Sequence, residues 1–397
     1  MASIYTAKPF SDDELRALGS PDPQPAYAEM TKCPVHRGPD GTLTLTRMKD
    51  VVAVTRDPEV LGAGAHGPTM GGARPLIPLD LDGPVHTRYR RLLDPLFSAK
   101  KVAQYAPQVS ALADQLIDGF IGQGRAELRA AFCDPLPSLF FLRLMGLPER
   151  DVEQFLSFKD MILGHRLPPG MPLPERFAAI REASARCYRY LGDEVDRRVA
   201  SGEPGDNLIG WLLEAEVDGE KLQREQILDI GYLMIIGGLD TAASSLGLIL
   251  ARLARTPALR QRLLDEPALW DRAIDEFLRF DSPVRSSNRT ATKELEFEGE
   301  HIPAGTTFFL SWAAANVDPE AFPDALTIDL DRKPNLHVAY GSGFHRCLGS
   351  QLARMELRAA LEQFHRRIPD YRIEEGHALA FDGIVRTVNA LPLVWKK

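Results

Sequence analysis

The chain has 397 residues, 44% of them hydrophobic and 26% charged, which gives enough length and apolar content for a large buried core. Its formal net charge of −8 argues against nucleic acid or an anionic membrane surface as a partner. The four cysteines are far apart and form no CxxC pair, so the sequence shows neither a disulfide framework nor zinc-finger spacing, as is usual in a reducing cytoplasm.

The sequence shows no targeting or membrane-spanning pattern. Its first residues are mixed and acidic, without the basic segment and following apolar segment that mark a signal peptide. No apolar run reaches the roughly 18–20 residues that a transmembrane helix requires. We therefore expect a soluble, cytoplasmic protein.

Helical patterns, with apolar residues three to four positions apart, dominate the chain. They cover 99–124, 151–164, 176–200, 225–257, 257–266, 267–280 and 347–368. Strand patterns are few and short, and they lie at 43–47, 294–312 and 388–395. Two segments rich in Gly and Pro, 62–75 and 167–176, are predicted surface loops. The sequence thus predicts a mainly α fold with small β regions, in one large domain over 1–397.

The predicted helix over 225–257 contains residues that disfavour the interior of a buried helix. Its middle is apolar on nearly every face, as in a buried helix, yet it carries Gly237, Gly238, Asp240 and Thr241. Gly disfavours a helix interior, and Asp and Thr compete for backbone hydrogen bonds. Either this stretch is a functional site inside a continuous helix, or the helix breaks at the glycines and Asp240 caps a second helix.

The segment YGSGFHRCLG, over 340–349, combines three glycines with Cys347 at the start of a strong helical pattern. Glycines allow tight turns and a close approach to a flat ligand. A cysteine at a helix N-terminus is favoured as the thiolate, a soft ligand suited to iron. A phosphate loop would need GK[ST], and zinc would need further ligands at short spacing. A cysteine nucleophile and an inert buried cysteine remain possible interpretations.

This segment resembles the cysteine loop of cytochromes P450, FGxGxHxCxG, with Tyr340 where Phe is usual. Four further stretches resemble other motifs of that family in the family's order. They are HTRYR over 86–90, GGLDT over 237–241, EFLR over 276–279 and IDLDRKPNLHVAYG over 328–341. The similarity covers essentially the whole chain, and five ordered motifs make it specific.

The resemblance implies haem b, iron protoporphyrin IX, as the cofactor, with Cys347 as the axial thiolate ligand of the iron. It implies that the haem propionates are held by His86, Arg90, Arg289 and His337. It assigns Asp240 and Thr241 to an acid–alcohol pair that delivers protons to bound dioxygen. Glu276, Arg279 and Arg332 would form a structural ion-pair network and take no part in catalysis.

The function implied by the resemblance is a haem-thiolate monooxygenase. It would insert one oxygen atom from O2 into a largely hydrophobic small molecule, by hydroxylation or oxidative demethylation. Electrons would come from NAD(P)H through separate proteins, a ferredoxin or flavodoxin-type donor with its reductase. Two alternatives stay open: a peroxide-driven haem-thiolate enzyme, which Asp240 and Thr241 disfavour, and a non-catalytic haem-binding or sensing protein.

Two further expectations concern surfaces. The substrate pocket should draw on mostly small and apolar segments, at 62–82, 160–180, 234–238, 284–287 and 384–385, with Arg285 and Arg386 as possible partners of a carboxylate. A basic set on this acidic protein should receive an acidic electron donor. This set consists of Arg90, Arg91, Lys100, Lys101 and Arg346.

Overall fold

The computed structural model describes residues 8–9, 20–38, 41–64, 69–168, 170–383 and 385–397. Within these ranges the chain forms fourteen α-helices. They are α1 (Gln24–Met30), α2 (Met48–Val54), α3 (Gly83–Leu93), α4 (Ala99–Val102), α5 (Ala106–Asp118), α6 (Pro135–Met145), α7 (Val152–Ile162), α8 (Leu173–Ser201), α9 (Leu208–Glu214), α10 (Arg224–Arg255), α11 (Pro257–Asp265), α12 (Trp270–Asp281), α13 (Trp312–Ala315) and α14 (Ser350–Arg367).

The strands of the described ranges are short. They are β1 (Lys8–Pro9), β2 (Val35–Arg37), β3 (Leu43–Leu45), β4 (Leu61–Gly62), β5 (Arg125–Glu127), β6 (Glu216–Val217), β7 (Glu220–Lys221), β8 (Ser286–Ala291), β9 (Leu295–Phe297), β10 (Glu300–Ile302), β11 (Thr307–Ser311), β12 (Tyr371–Ile373), β13 (Phe381–Asp382), β14 (Thr387–Val388) and β15 (Pro392–Trp395). The predicted mainly α fold with small β regions is confirmed.

The chain forms two compact units. The first unit comprises the described residues of Met1–His66, Leu248–Ser350 and Ile373–Leu391. The second unit comprises those of Gly67–Gly247, Gln351–Arg372 and Pro392–Lys397. The expectation of a single domain over 1–397 stays a prediction.

The first unit is built on a six-stranded mixed sheet with the order β1-β2-β3-β11-β8-β4. Strand β11 lies parallel to β3, with Phe308 opposite Leu43, and antiparallel to β8, with Phe308 opposite Arg289. Alternate side chains of these strands enter one apolar core that includes Leu43, Leu45, Phe308 and Leu310. Because the core fixes the register of β8, it also fixes the position of Arg289.

The second unit is mainly helical and has an aromatic core. Fully buried Phe rings lie on several helices, and Phe132 packs on Phe364 with 5.6 Å between ring centroids. A π-helical turn at Arg129–Cys133 precedes α6, and the Asp134 N–H donates to the Arg129 carbonyl at 2.9 Å. Such turns place side chains that a regular helix would direct elsewhere.

Helix α10 runs without interruption for 32 residues. The predicted alternative of a break at Gly237–Gly238 is therefore wrong, and Asp240 caps no helix. An 18-residue window of α10 has a mean hydropathy of 1.7, which by length and composition would allow it to cross a membrane. The expectation that no such run exists was wrong, but 78% of this window is buried inside the protein, as in a core helix.

Two other predicted elements differ from the structure. The helix expected over 99–124 is divided into α4 and α5 and ends at Asp118. Pro107 lies in the first turn of α5, where proline is tolerated, whereas it would remove a hydrogen bond from a continuous helix. The loop expected over 167–176 ends earlier, because α8 begins at Leu173. Parts of the predicted pocket, at 65–68, 169 and 384, lie outside the described residues.

Candidate active site

The cysteine loop of the first unit is a closed turn held against its own unit. The Cys347 N–H donates to the Tyr340 carbonyl at 2.8 Å, which closes the loop. Gly341 and Gly343 have φ angles of +70° and +66°, a region that L side chains rarely adopt. A Cβ at Gly343 would lie 2.0 Å from the Thr55 carbonyl oxygen. Glycine is thus required at Gly343 by both backbone conformation and close packing.

Among the four cysteines, Cys347 alone has an exposed side chain. Burial raises the pKa of the Cys133 and Cys187 thiols, so both stay protonated and inert. The Cys33 thiol is half-buried and donates to the Val35 carbonyl. Cys347 stands three residues before the first residue of α14, whose free N–H groups stabilise negative charge. It is the cysteine suited to act as a ligand.

The two other predicted site residues of the first unit lie on different elements. Arg289, in β8, is 8% exposed, and its Nη1 donates to the Asn288 carbonyl at 2.6 Å. His337 has a buried imidazole whose Nε2 lies 3.3 Å from Asp275 Oδ1. The Nδ1 atom of the same ring accepts from the Ala339 N–H at 3.2 Å. Both nitrogens of His337 are therefore already engaged by the first unit.

His86 and Arg90, in the second unit, are one turn apart on α3. Residues at i and i+4 of a helix lie on the same face, so both side chains project from one side of α3. His86 is 3% exposed, and Arg90 Nε donates to Asp94 Oδ1 at 2.8 Å. Burial of a histidine beside an arginine gives this face the N–H donors that buried carboxylates need.

The two glycines of α10 have different surroundings. A Cβ on Gly238 would lie 2.8 Å from the Phe141 ring of α6, so Gly238 permits close packing. A Cβ on Gly237 would meet no atom within 4 Å. The Thr241 hydroxyl donates to the Gly237 carbonyl at 2.8 Å, so its oxygen is left to accept from another donor. Gly237 and Thr241 form the open face of α10.

Asp240 is fully buried in an ionic cluster of the second unit. Its Oδ2 lies 3.2 Å from His165 Nε2, and its Oδ1 lies 3.4 Å from Lys159 Nζ. The second contact is an ion pair without hydrogen-bond geometry, since Oδ1 has no hydrogen-bond partner. Burial alone would raise the pKa of the Asp240 carboxyl, but the His165 hydrogen bond and the positive charge of Lys159 outweigh it and lower the pKa.

The predicted structural network of the first unit is present. Arg279 donates to both Glu276 oxygens at 2.7 and 2.8 Å, and Arg332 Nε lies 3.1 Å from each of them. Glu276 and Arg279 are fully buried, and the remaining Arg279 N–H groups reach backbone carbonyls. The hydrogen-bonding positions of these groups are occupied by one another and by backbone carbonyls. The network therefore stabilises the fold and takes no part in a reaction.

Sequence reasoning did not identify two residues of the ionic cluster that the structure reveals. It considered His345 only as an H-x-C pair with Cys347, which is too few ligands for zinc. Lys159 and His165 contact Asp240, yet they stand 81 and 75 residues before it in the chain. Nothing in local spacing reports such a contact, because it arises only from packing of α7 and its following loop against α10.

The residues present fit a haem group. The exposed Cys347 thiol at a helix start is the soft donor that iron requires in a thiolate-ligated haem. Buried Arg289 in the first unit supplies N–H donors for a carboxylate, and buried His86 in the second unit supplies an N–H donor of the same kind. The open face of α10 offers a hydroxyl oxygen and no bulky side chain at Gly237.

Comparison with known proteins agrees with this chemistry. Residues 175–367 match the family model "Cytochrome P450". The chain is 34% identical to the "Probable cytochrome P450 127A1" of Sinorhizobium fredii, over 89% of this chain and 84% of that one. It is 32% identical to the "Mycinamicin IV hydroxylase/epoxidase" of Micromonospora griseorubida, over 88% of this chain and 89% of that one.

A solved structure gives the same result. The crystal structure of the myxobacterial cytochrome P450 CYP267B1, in complex with myristic acid, matches with a TM-score of 0.86 at 28% identity. That match covers 98% of this chain and 100% of the other. The chain therefore belongs to the cytochrome P450 family of bacterial type, and it is a haem b monooxygenase.

Proposed function

We propose that this protein inserts one oxygen atom from O2 into a bulky, largely hydrophobic small molecule. The observation that carries the proposal is the exposure of Cys347, which alone among the four cysteines is exposed. It lies just before α14, in a loop whose turns are made by Gly341 and Gly343. Bound haem supplies reductive activation of O2 and transfer of one oxygen atom. The chain supplies the iron ligand, the surroundings of the haem carboxylates and a route for protons.

We assign the axial ligand to Cys347 and the haem carboxylates to His86, Arg90, Arg289 and His337. His337 is the weakest of these assignments on structural grounds, because Asp275 and Ala339 already engage its ring. His345, closer to the ligand in the chain, is a further candidate for the same role. Asp240 supplies the buried carboxylate of the proton route. The Thr241 hydroxyl donates to the Gly237 carbonyl, which leaves its oxygen to accept a hydrogen bond at the reacting centre.

The substrate proposal rests on apolar segments and on relatives. The described pocket-forming candidates include Met234, Ile235 and Ile236 of α10 and the paired Val284 and Val385. Arg386 is 3% exposed and donates to the carbonyls of Ser20 and Pro21, so it is bound by its own unit. One relative is named for a mycinamicin and one matched structure holds myristic acid, which favours a large hydrophobic molecule over a small charged one.

We also propose that the chain is one cytoplasmic haem domain that receives NAD(P)H electrons from separate proteins. Lys100 and Lys101 are exposed on α4, Arg91 is exposed on α3, and Arg346 is exposed beside Cys347. These side chains suit an acidic ferredoxin or a flavodoxin-type donor. Charge reversal at Lys100, Lys101 or Arg346 should slow reduction and flatten its dependence on salt. Unchanged rates in all three at low salt would exclude these side chains.

The test of the haem-thiolate site is the Soret band of the reduced protein with CO. Cys347→Ala should lose the red-shifted band of a thiolate haem, while Cys33→Ala, Cys133→Ala and Cys187→Ala should keep it. Retention of that band in Cys347→Ala would refute the assignment of the ligand.

Activity is tested with NADPH, a surrogate ferredoxin and its reductase. A panel of macrolides, steroids, terpenoids, aromatics and fatty acids is screened for a spin-state change of the Soret band, and active compounds are analysed for oxygenated product. Product with hydrogen peroxide but not with NADPH would indicate a peroxide-driven enzyme, and no product under either condition would indicate a haem-binding protein.

A further inference from the structure

Asp240 cannot exchange protons with solvent by itself. The carboxyl is fully buried, and its nearest ionisable neighbours are Lys159 and His165. Adjacent residues of a helix do not face the same way, so Asp240 also points away from the open face that carries Thr241. A proton that reaches Asp240 must therefore come through a neighbouring side chain.

Lys159 is poorly suited to carry protons. Its side chain is 1% exposed and lies 3.2 Å from carboxylate oxygens of both Asp134 and Asp160, in addition to its contact with Asp240. Burial disfavours its charge, but these three carboxylates outweigh burial and raise the pKa of Lys159. Lys159 is a fixed cation that keeps Asp240 charged and in place.

His165 has the properties that Lys159 lacks. It lies in the loop between α7 and α8, its side chain is 12% exposed, and Nε2 contacts the buried Oδ2 of Asp240. Imidazole is the side chain that gains and loses a proton near neutral pH. Because the lowered pKa keeps Asp240 as the carboxylate, Asp240 Oδ2 is the acceptor of this contact and the His165 Nε2–H is its donor.

The surroundings of His165 connect it to the surface. Arg166, the next residue, is 55% exposed and donates to Asp160 Oδ2 at 2.8 Å. The Arg176 guanidinium of α8 packs against Gly164, the residue before His165. Its Nη2 lies 2.6 Å from the position that a Cβ on Gly164 would occupy. From the α6 side, Asp134 faces Lys159 and pairs with Arg129. Solvent protons can thus reach the outer side of the loop, whereas fixed charges surround its inner side.

We propose that His165 is the residue that passes solvent protons to Asp240 during turnover. This inference rests on the proposed proton-delivery role of Asp240. A solvent proton binds the imidazole, the Nε2 proton moves to Asp240 Oδ2, and the neutral imidazole is recharged from solvent. Reduction of O2 to hydrogen peroxide takes up two electrons and two protons, and reduction to water takes up four of each, so the route is needed with or without an organic substrate.

Two variants separate proton transfer from structure. His165→Arg places a permanent cation and an N–H donor opposite Asp240, but a guanidinium does not release protons. His165→Gln keeps only the N–H donor. The matched control is His301→Gln. His301 Nδ1 lies 3.2 Å from Glu296 Oε1, so this histidine also faces a carboxylate, but on the exposed surface of the first unit.

The rate test measures NADPH consumption with a surrogate ferredoxin from pH 6 to 9, without substrate and with testosterone as a fixed test compound. We expect both His165 variants to be about tenfold slower, below the ~10²-fold typical of a lost general acid because water replaces part of the route. We expect the wild-type rate to fall as pH rises and both variants to lack this pH dependence. The solvent deuterium isotope effect on the rate should increase in both variants. His301→Gln should match the wild type.

The structural test is a double-mutant cycle of unfolding free energies with Asp240→Asn. His165→Arg should keep its coupling to Asp240 while its rate falls, which assigns the rate effect to proton transfer. Wild-type rates and pH profile in His165→Arg would overturn the proposal. Absence of oxygenated product from every panel compound would instead count against the proposed monooxygenase function, because NADPH consumption still reports on His165.

Discussion

Glu276 in the first unit and Asp240 in the second are both fully buried carboxylates, and they are bonded in opposite ways. Glu276 accepts from two arginines, from the Asp329 N–H and from Asn335, so each of its oxygens has several donors. Asp240 has one histidine and one lysine, and its Oδ1 has no hydrogen bond. A buried carboxylate whose oxygens all accept hydrogen bonds stabilises a fold. One with an oxygen that accepts none is available for proton exchange.

The largest effect should come from breaking the saturated network. Glu276→Ala leaves two buried guanidinium groups without a countercharge, which should cost about 3–5 kcal/mol of unfolding free energy. The measurement is urea unfolding together with soluble yield and haem content. Glu362→Ala is the control, since Glu362 pairs with Arg358 on an exposed helix face and its loss should cost about 1 kcal/mol or less. Equal losses in the two variants would contradict the comparison.

A third buried carboxyl, Glu356 of α14, sharpens the comparison because its Oε1 has no hydrogen-bond partner. Burial raises the pKa of Glu356 from 4.5 to about 8, so the folded protein must keep it protonated. The unfolded chain ionises it, and wild-type stability should therefore fall as pH rises between those two values. Glu356→Gln removes this penalty and should stabilise the protein by about 3 kcal/mol at pH 7. A stability difference that is flat from pH 4.5 to 8 would refute this.

The sequence predicted the saturated network better than the incomplete one, and the reason is physical. Glu276 and Arg279 stand three residues apart on one helix, so their contact follows from helical spacing. The partners of Asp240 come from α7 and the next loop, and only the packed structure brings them together. Motif order was enough for the family and for the Cys347 loop. It was not enough for the engagement of His337 by Asp275.

Asp240→Asn should have a smaller effect on stability than Glu276→Ala, because Lys159 keeps Asp134 and Asp160 as partners. The lowered pKa of Asp240 means that its ionised form stabilises the folded state above pH 3.8. That contribution is lost as pH falls through the folded pKa below 3.8, so the variant and the wild type should converge in acid. Turnover with NADPH should slow about tenfold or more as proton supply falls. Wild-type turnover in Asp240→Asn would show that Asp240 is not part of the proton route.

Thr241→Ala tests the open face of α10 without touching the ionic cluster. Stability, haem content and substrate-induced spin change should stay close to wild type, because the hydroxyl bonds only within its own helix. NADPH consumption should continue, with a larger share of it recovered as hydrogen peroxide and a smaller share as product. The measurement is the ratio of peroxide and product to NADPH. A fully coupled variant would show that the hydroxyl serves only helix geometry.

The two adjacent glycines of α10, which the sequence alone could not distinguish, should respond to alanine in opposite directions. Gly237→Ala adds a methyl group where no atom lies within 4 Å, and Ala favours a helix over Gly by up to about 1 kcal/mol. Gly238→Ala places a Cβ 2.8 Å from the Phe141 ring, which must shift at a cost of about 1–3 kcal/mol. Urea unfolding should therefore show a gain for the first variant and a loss for the second.

The gain at Gly237 carries a functional cost that separates it from an ordinary helix mutation. Its methyl group would stand on the open face beside Thr241, so the spin-state change caused by a bulky test compound should weaken although the protein is more stable. Gly238→Ala should change stability more than it changes the affinity for the compound. If both alanines lower stability, or if Gly237→Ala leaves ligand affinity untouched, then the open face of α10 is not where the substrate approaches.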